Sequence, residues 1–338
     1  MLETLKSLCT LSGVSGSEDE VREYIIEIAK KHTDEIKTDT LGNVIVFKKG
    51  KKTPKEKLVL CAHMDEVGVI ITSITDDGYL KFAKAGGFDN RVVLGKAVVI
   101  GKEKVPGVIG CKAIHLVKTK DREKPMEPED MYIDIGAKDR KEAEALISLG
   151  DTGAFDEDIR EFGDGYIKAK AIDDRFGCAV LLELIESDLP VDCTFAFTVQ
   201  EEVGLRGAFA AAYSIQPDIA LIVEGTTAAD LPSASENKKV CKVGCGPVIP
   251  FMDGGAIYNK EIRGILIDIA DDNKIPWQTK TYVAGSTDGA VFQKTRSGIK
   301  ATAIAAPVRN LHSPACVGKI SDMEAVMKLV RLFLDHYS

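Results

Sequence analysis

Two histidines and a set of carboxylates stand at points of this chain where an apolar run ends. Residues 58–62 lead into His63-Met64-Asp65, 166–172 into Asp173-Asp174, and 193–199 into Gln200-Glu201-Glu202. The run 219–223 leads into Glu224, and 300–306 leads, through a short loop, to His312. In open α/β sheets functional groups collect just beyond the carboxyl ends of the strands. Any one of these residues alone would be unremarkable, since a lone His or Glu at a strand end is commonly solvated or capping. Five exits ending in His, Asp, Glu, Glu and His point to one shared site.

The chemistry such a set serves is hydrolysis assisted by two metal ions. Peptide cleavage needs a nucleophilic water at neutral pH and stabilisation of a tetrahedral oxyanion, and two divalent ions sharing a carboxylate and a water supply both. One central carboxylate must bridge, and each ion then needs one imidazole and one further carboxylate. Three carboxylates and a hydroxide offset the four positive charges. Another carboxylate, not on a metal, should take the water's proton and return it to the leaving amine. Glu201 and Glu202 suit this division, because adjacent residues leaving a strand point in different directions. Asp65, two residues beyond His63, is placed to accept the spare imidazole N–H and fix the tautomer.

The elements that must hold these residues alternate between helix and strand. Val21, Tyr24, Ile25 and Ile28 share a helical face behind a capping-box signal, Ser17 with Glu20, and 43–47 and 58–62 read as buried strands. From residue 68 to about 165 the pattern changes to short β-type runs (69–74, 79–82, 97–100, 105–109, 131–135) punctuated by glycine, with helical spacing only at 138–149. That is the signature of a small β-barrel or sandwich. Helices are then predicted at 174–187, 206–215 and 261–274, and strands at 193–199, 219–223, 277–283 and 300–306. A last helix follows a second capping box, Ser321 with Glu324. The expected fold class is α/β: one domain made of residues 1–66 and 165–338, interrupted by an inserted β-rich domain over 67–164.

Composition narrows the function classes. With 45% hydrophobic residues among 338 the chain can bury a large core, and its net charge of −8 disfavours phosphate backbones, so no nucleic-acid partner is expected. No window approaches the roughly 18 apolar residues of a membrane span. Residues 1–11 read as a short amphipathic helix with Leu2, Leu5 and Leu8 on one side, not as a signal peptide. The eight cysteines are scattered through apolar patterns, as reduced core thiols are, and the expected location is cytoplasmic. Cys241 and Cys245 lack the second pair that would complete a zinc site. There is no Gly-x-Ser-x-Gly elbow, P-loop or dinucleotide fingerprint.

The motifs His63-Met64-Asp65-Glu66-Val67-Gly68, Ala171-Ile172-Asp173-Asp174-Arg175, Gln200-Glu201-Glu202-Val203-Gly204-Leu205-Arg206-Gly207-Ala208 and Leu311-His312-Ser313-Pro314 occur in this order. Together they resemble the tetrahedral aminopeptidases, the glutamyl, leucyl and deblocking family of co-catalytic zinc peptidases, some of whose members carry an endoglucanase label. The resemblance covers nearly the whole chain, the inserted segment included. It implies a metallopeptidase domain with a mixed central sheet and a barrel-like insert. It makes Asp173 the bridging ligand, Glu202 and His312 the completion of one metal, His63 and Glu224 that of the other, and Glu201 the general base. It also implies a cis peptide between Asp173 and Asp174. Many members have Asp where this chain has Glu224, and Asp230 is the alternative ligand, though it lies beyond the strand exit.

The implied cofactors are two divalent ions per subunit, zinc first and cobalt or manganese as alternatives. The implied partners are peptides with a free N-terminus and further copies of the chain, paired through residues 67–164 into dimers that build a hollow dodecamer. Against a glycosidase stand the single Trp and 6% aromatics, since sugar clefts are usually lined by aromatic platforms. Against a non-catalytic metal-binding scaffold stands the retention of Glu201. His115 is expected to be structural or at an interface, and His32 and His336 to sit at helix C-termini. Ser286-Thr287-Asp288-Gly289 reads as a turn, and the basic run 48–57 as a solvated loop.

Overall fold

A computed structural model describes residues 1–117 and 125–338. A nine-stranded sheet forms its centre, built from β1 (Ile36–Thr38), β2 (Val44–Lys48), β3 (Leu58–His63), β10 (Arg160–Phe162), β11 (Tyr166–Ala169), β12 (Cys193–Thr198), β13 (Ile219–Thr227), β14 (Lys300–Arg309) and β15 (Cys316–Lys319). In space the order is β1-β2-β12-β3-β13-β14-β15-β11-β10. The four central strands β12, β3, β13 and β14 run parallel, and the flanking pairs are antiparallel, so the sheet is mixed.

The central strands are apolar on both faces, as strands covered by helices on both sides must be. Residue alternation sorts them into two layers. Leu58, Leu60 and Ala62 of β3, Phe195 and Phe197 of β12, and Ile219, Leu221 and Val223 of β13 join one core. Over it lie α1 (Leu2–Thr10), α2 (Asp19–Ala29), α4 (Ile172–Glu186), α6 (Lys260–Asp272) and α8 (Ile320–His336). Val59, Cys61, Ala196, Ala220 and Ile222 face the other way, against Ala208, Ala211 and Ala212 of α5 (Arg206–Ile215) and Phe292 of α7 (Gly289–Phe292). Small residues dominate this second interface and let α5 approach closely; a Cβ on Gly207 would lie 2.3 Å from Asn43 Oδ1 and 2.4 Å from the Val199 carbonyl.

Between β3 and β10 the chain forms a closed six-stranded barrel with its own core. Its strands are β4 (Gly68–Ile74), β5 (Leu80–Ala85), β6 (Ala97–Ile100), β7 (Val105–Cys111), β8 (Met131–Asp134) and β9 (Thr152–Phe155). The barrel carries α3 (Arg140–Glu144), five residues long against the twelve expected from spacing, and capped by Asp139. The chain re-enters the large sheet at β10.

Three local readings need correction. No strand forms over 277–283; Gln278 makes a single bridge to Val248, and the segment is held mainly by side chains. Neither capping box closes. Glu18 is the N-cap of α2 and Lys319 that of α8, without side-chain capping bonds, because the β15-to-helix turn already fixes the start of α8 and Glu18 is drawn to the Gly16 and Gln200 N–H groups. β15 escaped sequence reading, since Cys-Val-Gly-Lys is too short and mixed to show a period. Among the described residues no helix is long and apolar enough to cross a membrane.

Candidate metal centre

Parallel strands bring their carboxyl ends to one edge, and that edge collects the sequence-predicted residues. His63 ends β3, Glu224 lies in β13, Asp173 sits in the first turn of α4 after β11, Glu201 and Glu202 follow β12, and His312 follows β14. Ala171, Gln200 and His312 all have left-handed backbone (φ 52, 55 and 54), a conformation that costs a non-glycine residue of order 1 kcal/mol and clusters at functional sites. The Asp173–Asp174 peptide is cis.

Asp173 occupies the middle. Its Oδ1 lies 3.4 Å from His63 Nε2 and its Oδ2 3.4 Å from His312 Nε2. Glu202 Oε2 lies 3.3 Å from His312 Nε2, and Glu224 Oε2 3.7 Å from His63 Nε2. Glu201 Oε2 stands further off, 4.0 Å from the same nitrogen. Donor atoms of His63, Asp173 and Glu202 fall within 4.8 Å of one another, as do those of His63, Asp174 and Glu224. Asp174 is the less available acid of the second group, because Oδ2 accepts from the His63 N–H (3.2 Å) and Oδ1 from the Gly177 N–H (3.0 Å). A Cβ on Gly177 would come within 2.5 Å of Asp174 Oδ2 and 2.4 Å of the Val223 carbonyl, so only glycine permits this closeness.

Asp65 does more than the sequence spacing indicated. The His63 Nδ1 partner at 3.1 Å is the Asp65 backbone carbonyl, with the carboxylate at 3.4 Å. The carboxylate itself accepts from the Glu201 N–H (2.9 Å), the Glu202 N–H (3.1 Å) and the Ser15 hydroxyl (2.6 Å). One buried acid thus orients an imidazole and anchors the turn that carries both glutamates. Glu18 accepts from the Gln200 N–H and supports the same turn. Asp230, the alternative to Glu224, is engaged elsewhere: Arg309 donates to both its oxygens at 2.7 and 2.6 Å, and the Val243 N–H at 3.1 Å.

Burial sets the electrostatics. It raises the proton affinity of Glu201 and Glu224 well above the carboxylate range and that of Glu202 to about 7, with neighbouring acids adding to it. Burial also opposes charge on the histidines, yet Asp173 and the glutamates outweigh it, holding His312 up at about 9 and His63 well above its ordinary value. Asp173 is driven the other way; the two imidazoles overcome its burial and lower it. The donor set therefore confines more negative charge than its two imidazoles can balance. Among the described residues Asp173 Oδ1 and Glu202 Oε1 are buried without a hydrogen-bond partner. Such oxygens are costly to leave unpaired, and they fit oxygen-binding divalent cations.

A cavity of about 800 Å³ opens from this cluster. Its wall includes residues without motif character in the sequence: Thr226 near the end of β13, Lys238 in the short helical turn Glu236–Lys238, and Lys280 and Tyr282 in the irregular segment that follows. Asp288, which the sequence places in a turn, is buried beneath the site, where its Oδ2 accepts from the Thr198 hydroxyl at 2.5 Å. His115, His32 and His336 are all exposed.

Residues 42–329 match the model of the M42 glutamyl aminopeptidase family. A protein of Acetivibrio thermocellus named as an aminopeptidase is 41% identical, over 98% of this chain and 97% of its own. The lysyl aminopeptidase of Pyrococcus furiosus is 30% identical over 98% of this chain and 96% of its own. Among solved structures, the aminopeptidase of the archaeon Desulfurococcus kamchatkensis superposes with a TM-score of 0.93 at 35% identity, covering 99% of this chain and 94% of that one. The TET1 peptidase of Pyrococcus horikoshii, described as able to assemble into a tetrahedron or a large octahedral shell, gives 0.86 at 35% identity with 98% of each chain covered.

Proposed function

This chain belongs to the M42 glutamyl aminopeptidase family and is an aminopeptidase, and from that premise we propose that it works with a pair of divalent ions held by five residues. Asp173 would be shared between the two ions, Glu202 and His312 would complete one half of the site, and His63 and Glu224 the other. The observation that carries this reading is the pair of orphaned buried oxygens, Asp173 Oδ1 and Glu202 Oε1, beside two imidazoles that both face Asp173. Two divalent ions bound there supply an acidified water and positive charge opposite the developing oxyanion. Zinc, cobalt and manganese all accept this donor set.

Glu201 is the general base. At 4.0 Å from His63 Nε2 it stands further off than Asp173 and Glu224, and its raised proton affinity suits a group that takes a proton from the attacking water and returns it to the leaving amine. Asp65 is a positioning residue: it fixes the direction in which Glu201 and Glu202 leave β12 and, through its carbonyl, the Nδ1 face of His63. The substrates are peptides with a free N-terminus. The cavity wall offers one aromatic ring, Tyr282, which speaks against a sugar-binding cleft. Copies of the chain pair through residues 67–164 into dimers that build a dodecamer, a reading supported by the assembly described for the Pyrococcus horikoshii relative. Eight free cysteines are in keeping with a cytoplasmic protein.

The test is hydrolysis of aminoacyl-p-nitroanilides by chelator-stripped protein before and after zinc, cobalt or manganese is restored, with metal content measured in parallel. Activity should return with about two ions per subunit and only on substrates whose amine is free. No turnover with metal demonstrably bound would sink the mechanism.

A further inference from the structure

Neither metal binding nor proton transfer uses Asp288, an acid 1% exposed beneath the site. It stands at the N-cap of α7, where an Asp side chain ordinarily accepts from the first N–H groups of the helix. Here it makes no such bond. Thr287 Oγ1 takes the Gly289 N–H instead, at 3.2 Å, and the Asp288 carboxylate is turned towards the central sheet.

Its Oδ2 meets two neighbouring strands there. The Thr198 hydroxyl, at the end of β12, donates at 2.5 Å, and the Cys61 thiol of β3 approaches at 3.7 Å as a weak second donor. A hydroxyl has one proton, and the nearer, charged acceptor takes it in preference to the Ala62 carbonyl at 3.2 Å. Asp288 Oδ1 has no hydrogen-bond partner among the described residues. One short, charge-assisted bond therefore carries most of what this buried carboxylate receives. An acid that served the fold alone would be expected to have both oxygens filled.

Thr198 occupies a junction. It is the last residue of β12 in register with β3, opposite His63, and its carbonyl accepts from the Met64 N–H at 2.7 Å. Beyond it the strands part: His63 faces Asp173 and Glu224, and the chain turns through left-handed Gln200 to present Glu201 and Glu202. Asp65 holds that turn at its N–H groups, and Asp288 holds its root. The segment that carries Asp288 also reaches the cavity, whose wall includes Gly285, Ser286 and Thr287. That wall has anchors of its own. The Gly254 N–H donates to the Gly285 carbonyl at 2.7 Å, and Thr287 Oγ1 lies 3.0 Å from the Tyr258 hydroxyl, which donates to Asp253 at 2.5 Å.

We propose that Asp288 is a positioning residue for the reaction: bonded to Thr198, it fixes the point where β3 and β12 part, and with it the direction in which Glu201 meets a substrate lying along residues 285–287. This rests on the aminopeptidase reading and adds to it an acid that acts through another side chain. A neutral acceptor in place of the carboxylate would keep the shape and lose the short bond. The strands would stay paired and the wall would stay anchored, while Glu201 gained freedom. Turnover depends on that freedom more than binding does, because a small misplacement of a reacting group is paid in the transition state.

The test measures kcat, KM, bound metal and denaturant midpoint for metal-loaded parent and variants, on the aminoacyl-p-nitroanilide that the parent cleaves best. Asp288→Asn should lower kcat by roughly 10- to 100-fold, with KM, metal content and midpoint held at parental values. Thr198→Val, which removes the donor, should lose kcat to a similar extent, and Thr198→Ser, which keeps the hydroxyl, should retain most of it. The double variant Asp288→Asn with Thr198→Val should be no slower than the slower single one, because both remove the same bond. Parental kcat in Asp288→Asn, a loss confined to KM, or losses that multiply in the double variant would each overturn the proposal and leave the aminopeptidase intact. So would Thr198→Ser as slow as Thr198→Val. Loss of metal or of folding in Asp288→Asn would mark a structural acid and overturn it too. Silence of the parent on every substrate with metal bound would remove the aminopeptidase reading itself, and Asp288's role with it.

Discussion

Two groups of buried acids lie at the end of β3, and they are built in opposite ways. Glu66 is 2% exposed and fully satisfied: Lys170 Nζ sits 2.6 and 2.7 Å from its two oxygens, and Arg175 Nη2 and the Gly13 N–H donate to Oε1 at 3.1 and 3.0 Å. The remaining donors of these cations go to the Leu8, Leu11 and Met64 carbonyls. A few residues away, Asp173 and Glu202 each keep an oxygen with no hydrogen-bond partner among the described residues. The first group is closed by the chain's own cations and ties α1, the β3 exit and α4 together. The second is left open, which is what a site waiting for external cations requires. Burial alone does not distinguish a structural acid from a functional one; satisfaction of its lone pairs does.

Substitutions test that contrast. The largest effect is expected at the open group: Glu201→Gln should keep both metals and lose turnover by roughly 10²- to 10⁴-fold, whereas Asp173→Asn should lose metal occupancy itself. Metal analysis beside kcat separates them, and equal metal loss in both variants would break the division of roles. At the closed group the effect is on folding. Glu66→Gln leaves Lys170 and Arg175 buried without their counter-charge and should cost about 3–5 kcal/mol of stability, read from denaturant midpoints. A cost confined to activity would erase the distinction between the two groups.

The pH dependence of stability should separate them as well. In metal-free protein Glu202 holds its proton up to about 7 against an ordinary 4.5, so stability falls as pH rises between those values. His312, raised from 6.5 to about 9, contributes stability that is complete below 6.5 and is lost as pH rises to 9. Asp173, lowered, contributes stability that is present throughout this window and is lost only in acid. Metal-free protein should thus weaken steadily from pH 4.5 to 9, and metal should flatten the profile. Melting curves at five pH values, with and without zinc, check this; a metal-free protein as stable at pH 9 as at pH 5 contradicts it. The smallest effect belongs to Asp65→Asn, which keeps an acceptor for one N–H of the Glu201–Glu202 turn but weakens the rest. It should lower kcat/KM by roughly 10- to 100-fold while both metals still bind.

Much of this molecule was legible in its sequence because the signals were local. Apolar runs ending in His, Asp or Glu mark strand exits, and the closely spaced β-type runs after Gly68 mark the barrel. What the sequence could not express are relations between distant segments. The short strands β10 and β15 have no period of their own and are strands only because distant partners pair with them, β11 with both and β14 with β15. Residues 277–283 have strand-like composition but find no ladder, and Gln278, Thr279 and Thr281 hold them by side-chain bonds instead. Glu66 and Asp65 are neighbours in one motif, yet the first is neutralised by Lys170 and Arg175 from α4 and its approach while the second anchors the turn after β12.

Residue types and their order along the chain determined which groups are available for chemistry and that strands would present them together. Only the tertiary structure decided which acids have their lone pairs filled and which keep oxygens without a hydrogen-bond partner among the described residues. Those outcomes depend on burial and on partners tens to hundreds of residues away, and neither quantity is a property of any local stretch of sequence.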